Sequence, residues 1–245
     1  MAKTKWFFIA LILFFISLFL SPLCSKAANP YPLQTKYPDI VLYKANTDKK
    51  IIALTFDDGP DDKFTPQILN VLKKHNVKAT FFLLGTRVHK HPNVAKQILD
   101  DGHTIGNHTY WHPELTKKNI DSMVWEIEQN EKELERILQI RTNLFRAPYG
   151  ALTEKQIQKL NELGYRIIGW SIDTEDWRNL PAGEIKRKIL NQLHPGAIVL
   201  MHSAGHWTQD LSGTVQALDE IIPLLKKEGY MFVTIPEMFN DDILK

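Results

Sequence analysis

Residues 51–60 read IIALTFDDGP, and the predicted fold is organised around this stretch. Its first six residues are apolar or β-prone, which predicts a buried strand, and Gly59 and Pro60 then turn the backbone. The strand therefore ends at two adjacent carboxylates, Asp57 and Asp58. Side chains alternate between the faces of a straight strand, so we expect a break at Gly59 to bring both acids near one point. A polar turn without any chemical role is the alternative interpretation.

Strand and helix patterns alternate from this stretch to the end of the chain. Apolar, β-prone runs predict strands at residues 51–56, 79–84, 103–106, 144–146, 165–170, 197–201 and 231–234. Amphipathic patterns between them predict helices at residues 65–75, 93–101, 120–138, 154–163, 183–193 and 214–228. This alternation implies parallel strands joined by right-handed crossovers. We therefore predict an α/β fold, a distorted or incomplete (β/α) barrel with about seven parallel strands, rather than an open doubly wound sheet.

The first residues have the pattern of an export signal. Lys3 and Lys5 precede an apolar run at residues 6–20, and small residues follow at 25–28. This pattern predicts a signal peptide over residues 1–28 and a secreted or cell-surface protein. Because a membrane-spanning helix needs about 20 apolar residues, an uncleaved membrane anchor is the less favoured alternative. A leader segment with several prolines follows at residues 29–50.

Composition excludes several classes of protein. The formal net charge of the chain is +2, which does not favour a polyanion such as nucleic acid as partner. Cleavage of the signal would remove Cys24, the single cysteine, and with it any disulfide or thiolate metal site. No strand is followed by a G-x-G-x-x-G pattern, so a dinucleotide is not expected. Nothing in the sequence predicts an obligate oligomer, and we expect a monomer.

Polar side chains cluster where the predicted strands end. They lie at Asp57 and Asp58 and in the segments 107–113 (NHTYWHP), 146–150 (RAPYG), 171–177 (SIDTEDW) and at His202. The carboxyl ends of parallel strands meet at one edge of the fold, so these residues predict a single site. An aspartyl phosphohydrolase is not favoured, because its acids would be two residues apart, on the same face of the strand.

Two histidines in this set suggest a metal centre. His108 and His112 are four residues apart and would share one face of a helical turn. With a nearby aspartate they would form a His-His-Asp ligand set that leaves coordination positions open. Taken alone, a His-x-x-x-His pair is also typical of an ordinary surface helix.

Five segments, in order, resemble the motifs of the polysaccharide deacetylases, also called the NodB homology domain or carbohydrate esterase family 4. They are TFDDGP (55–60), HTYWH (108–112), RAPYG (146–150), DTEDW (173–177) and LMH (200–202). The resemblance extends over residues 51–234 and implies a deacetylase catalytic domain at 51–245. Ala147 is one departure, since many relatives have a second proline there.

The resemblance implies a role for each matching residue. Asp57 would be the general base, oriented by Arg146, and His202 the general acid, positioned by Asp173. Asp58, His108 and His112 would hold a divalent metal, zinc first and cobalt or nickel as alternatives. The remaining positions would bind substrate: the backbone amide of Tyr149 would stabilise the oxyanion, and Trp177 and Leu200 would line the pocket for the acetyl methyl group.

The resemblance also implies the reaction. We expect a metal-dependent hydrolase that removes acetyl groups from N-acetylated sugars of a β-1,4-linked polysaccharide, with peptidoglycan N-acetylglucosamine as the first choice of substrate. Chitooligosaccharides and xylan are alternative substrates. A non-catalytic sugar-binding relative is the alternative function, although every position expected to act in catalysis carries the expected residue type. Membrane association is expected only if the signal stays uncleaved.

Overall fold

The central strand of the sheet is the one predicted from residues 51–56. In the structure, a computed structural model that describes residues 32–239, this strand runs Ile51–Asp57 and is buried along its whole length. A strand covered on both faces needs an almost continuous apolar run, which this stretch supplies. The predicted signal peptide and the first residues of the leader lie outside the described residues. No helix within residues 32–239 is long and apolar enough to span a membrane.

The described residues form one sheet of nine strands in which every ladder is parallel. The strands are β1 Val41–Leu42, β2 Ile51–Asp57, β3 Thr80–Leu83, β4 Thr104–Asn107, β5 Leu144–Phe145, β6 Arg166–Ile168, β7 Ile172–Asp173, β8 Ala197–His202 and β9 Met231–Phe232. Their order is β1-β6-β5-β4-β3-β2-β8-β7, and β9 pairs with the start of β2. A single antiparallel bridge between Lys44 and Ala197 links the chain after β1 to β8. The sheet therefore curls without completing its ladder, which confirms the predicted incomplete barrel.

Most of the helices cover the outside of this sheet. They are α1 Pro32–Lys36, α2 Phe64–Lys74, α3 Gly85–Lys90, α4 Pro92–Asp100, α5 Ile120–Leu138, α6 Glu154–Glu162, α7 Ala182–Gln192, α8 Ser212–Lys227 and α9 Ile235–Met238. Short 3₁₀ turns lie at Leu115–Lys117, Pro148–Gly150 and Asp176–Arg178. The bounds of α5 are those predicted from its amphipathic pattern, and the other five predicted helices lie within two residues of their predicted bounds.

The alternation of β2 places its last carboxylate inside the barrel. Leu54 belongs to the core between sheet and helices, whereas Ile51 and Ala53 belong to the core enclosed by the sheet. Thr55 and Asp57 continue this inner row by the twofold period of a strand. The inner row therefore changes from apolar to polar at the carboxyl edge, where the predicted site lies.

Two strands and one helix near the site are not predicted by the sequence. Strands β1 and β7 have two residues each, which is too short to show alternation, and β1 lies in the proline-containing leader. The leader thus contributes an edge strand to the sheet. Helix α3 has six residues, too few for a clear apolar period.

Candidate active site

A cavity of about 660 Å³ lies at the carboxyl edge of the sheet. The structure brings nine of the ten predicted site residues to its wall, and only Arg146 lies behind that wall. The nine are Asp57, Asp58, His108, His112, Tyr149, Asp173, Trp177, Leu200 and His202. Residues from five strand ends therefore meet at one place, as parallel strands require.

Arg146 is buried behind the cavity and is tied to Asp57. Its Nη1 donates to Asp57 Oδ1 and to Thr55 Oγ1, both at 2.8 Å. Its Nε and Nη2 donate to the carbonyl oxygens of Ile168 and Gly169 at 3.0 and 2.9 Å. A buried guanidinium is tolerated only when it is paired and hydrogen-bonded, and these four contacts meet that requirement. One oxygen of Asp57 is therefore held in place, while Oδ2 faces His108 Nε2 at 3.7 Å.

Asp58, His108 and His112 form a set of converging ligand atoms. Asp58 Oδ1 lies 3.5 Å from His108 Nε2 and 3.4 Å from His112 Nε2, and the three atoms lie within 4.8 Å of one another. These separations are long for hydrogen bonds, and Asp58 Oδ1 is buried without a hydrogen-bond partner among the described residues. His108 Nδ1 contacts the carbonyl oxygen of Arg146 at 2.8 Å, which turns Nε2 toward the set. One carboxylate and two imidazoles in this arrangement fit a divalent metal ion.

The electrostatics of these ligands suit a cation. Burial raises the pKa of Asp58, but the facing imidazoles of His108 and His202 outweigh it and hold that pKa well below its usual range. Burial and the neighbouring His108 lower the pKa of His112. For His108, burial lowers the pKa, but Asp57 and Asp58 outweigh burial and raise it. A cation binding here would therefore find Asp58 ionised and His112 neutral, whereas the raised pKa of His108 means that a cation and a proton would compete for this ring.

The ligands lie on left-handed backbone, not on a helical turn. Asp58 has φ 68° and His112 has φ 62°, and Thr109, between the two histidines, has φ 72°. The predicted helical turn over residues 108–112 is therefore wrong, and so is the predicted break at Gly59, because the strand already breaks at Asp58. Positive φ is unfavourable for residues with a side chain, so the surrounding structure must hold these positions.

Helix α5 supplies the groups that hold the histidine loop. Glu126 is buried, and its Oε2 accepts hydrogen bonds from the backbone N–H groups of Tyr110 and Trp111 at 3.0 and 2.8 Å. Asn130 donates to the carbonyl oxygen of Thr109 at 2.9 Å. Backbone groups of this loop are thus satisfied by side chains of another element. We infer that α5 positions the loop that carries His108 and His112.

His202 is held by Asp176 and not by Asp173. Nδ1 of His202 donates to Asp176 Oδ1 at 2.7 Å, and the backbone N–H of His202 donates to Asp176 Oδ2 at 2.9 Å. Asp173 instead accepts a hydrogen bond from the backbone N–H of Glu175 at 2.8 Å. The predicted contact between Asp173 and His202 is therefore wrong. Glu175 has φ 51°, which starts the 3₁₀ turn and directs Asp176 inward, a reversal that spacing along the chain does not reveal.

The pair with Asp176 controls the charge of His202. Burial lowers the pKa of His202, but the charge and hydrogen bond of Asp176 outweigh burial and raise that pKa to about 9. Asp176 is itself buried and also accepts from Thr214 Oγ1 at 2.8 Å. His202 is therefore in its positively charged imidazolium form at neutral pH. Its Nδ1 is hydrogen-bonded to Asp176, and the residue lines the cavity.

The outer wall of the cavity is aromatic and apolar. Tyr149 has φ 60°, and its exposed ring packs edge-on against His112 with ring centroids 4.8 Å apart. Trp177 is half exposed at the same wall, whereas Leu200 is buried on β8. The roles predicted for these three residues toward a substrate stay predictions.

Three residues that support the site were not predicted, and the sequence carries different signals for them. Glu126 and Asn130 lie on the buried stripe of α5 together with Met123, Ile127 and Leu134. A carboxylate and an amide on such a stripe signal buried partners, although not which ones. Asp176 lies in a motif with three acids, and only its burial distinguishes it from Asp173 and Glu175.

Comparison with known proteins places these residues in context. The family model described as polysaccharide deacetylase matches residues 44–168. The chain is 48% identical over 194 residues to a Bacillus cereus protein named peptidoglycan-N-acetylglucosamine deacetylase, covering 78% of this chain and 69% of that protein. It is 40% identical over 225 residues to the peptidoglycan-N-acetylglucosamine deacetylase PgdA of Listeria monocytogenes, covering 91% of this chain and 46% of that protein. The chain thus spans less than half the length of the Listeria relative.

A solved structure has the same fold. The Bc1960 peptidoglycan N-acetylglucosamine deacetylase, in complex with 4-naphthalen-1-yl-N-oxidanyl-benzamide, superposes with a TM-score of 0.82 at 44% sequence identity. The match covers 85% of this chain and 97% of that one. The barrel described here and its carboxyl-edge cavity therefore belong to a known architecture.

We predict that Glu126→Ala weakens zinc binding, because the loop with both histidine ligands loses its two hydrogen bonds to Glu126. Supporting residues around metal ligands typically contribute about ten- to a hundredfold in affinity, and we expect a loss of that size. Isothermal titration of the metal-free protein with zinc measures it. Glu126→Gln keeps an acceptor oxygen and should retain most of the affinity, and Glu128→Ala, exposed on the same helix, serves as the control. Unchanged zinc affinity in Glu126→Ala would contradict the role given to α5.

We predict that Asp176→Asn lowers the pKa of His202 from about 9 toward its ordinary value of 6.5. The histidine ring resonances of the metal-free protein, titrated by NMR, measure this change. Because the folded-state pKa lies above the ordinary value, the pair stabilises the fold fully below about pH 6.5, and this contribution is lost as the pH rises through about 9. Asp173→Asn is the matched control, and a larger shift in that variant than in Asp176→Asn would refute the assignment.

Proposed function

Since the chain belongs to the polysaccharide deacetylase family, we propose that it is a metal-dependent hydrolase that removes the acetyl group from N-acetylglucosamine of peptidoglycan. The main observation in support is that two carboxylates adjacent in sequence, Asp57 and Asp58, have different surroundings. Asp58 faces the two histidines of the ligand set, whereas Asp57 is tied to Arg146 on one oxygen and leaves the other facing the cavity. Metal-assisted amide hydrolysis combines a metal site with a base beside it that is not a ligand.

The ligand set would hold a divalent cation. Asp58, His108 and His112 are the three protein ligands in this proposal, with zinc as the first choice and cobalt or nickel as alternatives. Three ligands leave open positions, as a catalytic metal site requires. When bound, such an ion supplies Lewis acidity toward a carbonyl oxygen and lowers the pKa of water.

Asp57 takes the role of general base. Its Oδ1 is fixed by the buried Arg146 at 2.8 Å, which leaves Oδ2 as the oxygen that can accept a proton from the attacking water. Arg146 acts through Asp57 and is a positioning residue.

His202 takes the role of general acid. The charge of Asp176 keeps His202 protonated at neutral pH, and the hydrogen bond to Nδ1 leaves Nε2 to donate a proton to the departing amine. Transfer of that proton leaves a neutral imidazole beside the Asp176 carboxylate, which is ready to be protonated again. The proposed acid and base thus have different partners: His202 is paired with Asp176, and Asp57 is paired with Arg146.

Three residues are proposed to receive the acetyl group. The backbone N–H of Tyr149 would donate to the negatively charged oxygen that forms when water attacks the carbonyl group. Preorganised donors of this kind contribute strongly to transition-state stabilisation. Leu200, buried on β8, and the half-exposed Trp177 would contact the methyl group. These assignments rest on position at the cavity wall and on the family motifs.

Peptidoglycan is the proposed substrate because the curated relatives named above act, by their names, on its N-acetylglucosamine. The predicted export signal would carry the chain out of the cytoplasm to the cell wall. We propose that it acts there as a monomer. Chitooligosaccharides and acetylated xylan are the alternative substrates. A sugar-binding protein without activity is not favoured, because the proposed base, acid and ligands are all present around one cavity.

We predict acetate release from peptidoglycan that stops on treatment with a chelator and returns on addition of zinc, because the metal supplies the Lewis acid. A panel of peptidoglycan, chitin oligomers and acetylated xylan, with acetate assayed enzymatically and each ion added back in turn, is the measurement. Acetate from chitin oligomers but not from peptidoglycan would overturn the choice of substrate. Polymer binding without acetate from any of the three would support the non-catalytic alternative.

We predict that Asp57→Asn retains bound metal while losing activity by at least about a hundredfold, because the amide cannot accept the proton and general bases contribute that much or more. Zinc content by plasma emission spectroscopy and kcat for acetate release are the two measurements. Asp100→Asn removes an exposed carboxylate at the end of α4 and should leave both values at the wild-type level. A variant that had lost its zinc would show that Asp57 is itself a ligand.

A further inference from the structure

Arg87 stands between the active-site cavity and a second cavity of about 340 Å³. It lies on α3, and its Nη2 donates to the carbonyl oxygen of Gly205 at 2.6 Å, so both residues form part of the wall of each cavity. Trp207 lines the second cavity and is 86% exposed, which offers an aromatic face to a sugar ring. A polymer with one sugar at the catalytic residues can therefore extend past Arg87 to its next sugar.

The charge of Arg87 has no acidic partner among residues 32–239. Its side chain is half-buried, and its described hydrogen bond is to a neutral carbonyl group. Of the two acids in the second cavity, Asp61 already accepts hydrogen bonds from three backbone N–H groups at the start of α2. Lys63 and Lys90 add further positive charge to the same wall. A half-buried guanidinium without a counter-charge is unfavourable, and an anion bound there would relieve the cost.

A carboxylate is the anion that best fits this position. The planar guanidinium of arginine binds carboxylates through two parallel, charge-assisted hydrogen bonds. In peptidoglycan, each N-acetylglucosamine is linked to a sugar that carries a lactyl ether, with either a free carboxylate or a peptide that has its own carboxylates. Chitin has no such group on any of its sugars.

We propose that Arg87 binds a carboxylate on the sugar next to the reacting N-acetylglucosamine and so determines specificity for peptidoglycan over neutral polymers. This inference rests on the proposed function, since it requires deacetylation at the neighbouring cavity. It assigns to Arg87 a contact with substrate but no part in the bonds that form and break. The lactyl group and the attached peptide are the two sources of the same carboxylate chemistry.

The test compares three tetrasaccharides as substrates for the full-length wild-type protein, Arg87→Gln and Arg87→Lys. The first carries free lactyl carboxylates, the second carries them as peptide conjugates, and the third is a neutral N-acetylglucosamine tetramer. We expect Arg87→Gln to lower kcat/KM on a carboxylate-bearing substrate by roughly tenfold to a hundredfold, the range for a hydrogen bond to a charged group. On the neutral tetramer the expected loss is at most about threefold, and Arg87→Lys should lie between wild type and Arg87→Gln.

Controls separate this inference from the proposed function. Arg141→Gln removes the same charge from the exposed surface and should leave kcat/KM at the wild-type level on all three substrates. Reduction of the lactyl carboxylate to an alcohol should remove the difference between wild type and Arg87→Gln. The substrate with the larger loss identifies the source of the carboxylate. Equal losses on neutral and carboxylate-bearing substrates would overturn the inference while the deacetylase stands, whereas wild-type protein without acetate release from any substrate would overturn the proposed function itself.

Discussion

The buried ion pair between Arg146 and Asp57 is the interaction on which the rest of the site depends. Arg146 follows β5, and its four hydrogen bonds reach β2 and the end of β6, strands that are not neighbours in the sheet. It therefore joins facing walls of a barrel whose ladder is incomplete. Loss of one partner from a buried pair costs about 3–5 kcal/mol, because the other charge stays buried without compensation. The pair thus holds together the fold and the oxygen proposed to act as base.

Local backbone strain at the site is offset by contacts from elsewhere in the fold. Asp58, Thr109 and His112 all have positive φ, which a free loop would relax. In the histidine loop the side chains of α5 oppose this relaxation, since Glu126 and Asn130 form hydrogen bonds to its backbone groups. The hydrogen bonds from α5 thus help to place the atoms of Asp58, His108 and His112 within 4.8 Å of one another.

Charge is distributed so that neighbouring groups take opposite roles. On one side of the cavity Arg146 fixes one oxygen of Asp57, the proposed base, and leaves the other facing the cavity. On the other side the buried carboxylate of Asp176 keeps His202 protonated. Beyond both, Arg87 carries a positive charge without an acidic partner among the described residues and faces the direction in which a polymer would extend. The same cavity can therefore combine acid, base and recognition of an anionic substrate.

The sequence by itself determined the order of most strands and helices, the incomplete barrel and the location of the site, because hydrophobic period and turn chemistry are local properties of the chain. The motif residues at the strand ends also meet in one cavity, since parallel strands place their carboxyl ends together. The short strands β1 and β7 and the left-handed loop in place of a helical turn depend on the folded chain, because two residues are too few to show a pattern. The pairing of His202 with Asp176 instead of Asp173 also appears only in the folded chain, as do the positions of Glu126 and Arg87 beside the site. Each of these depends on contacts between segments far apart in the chain, and residue spacing carries no information about such contacts.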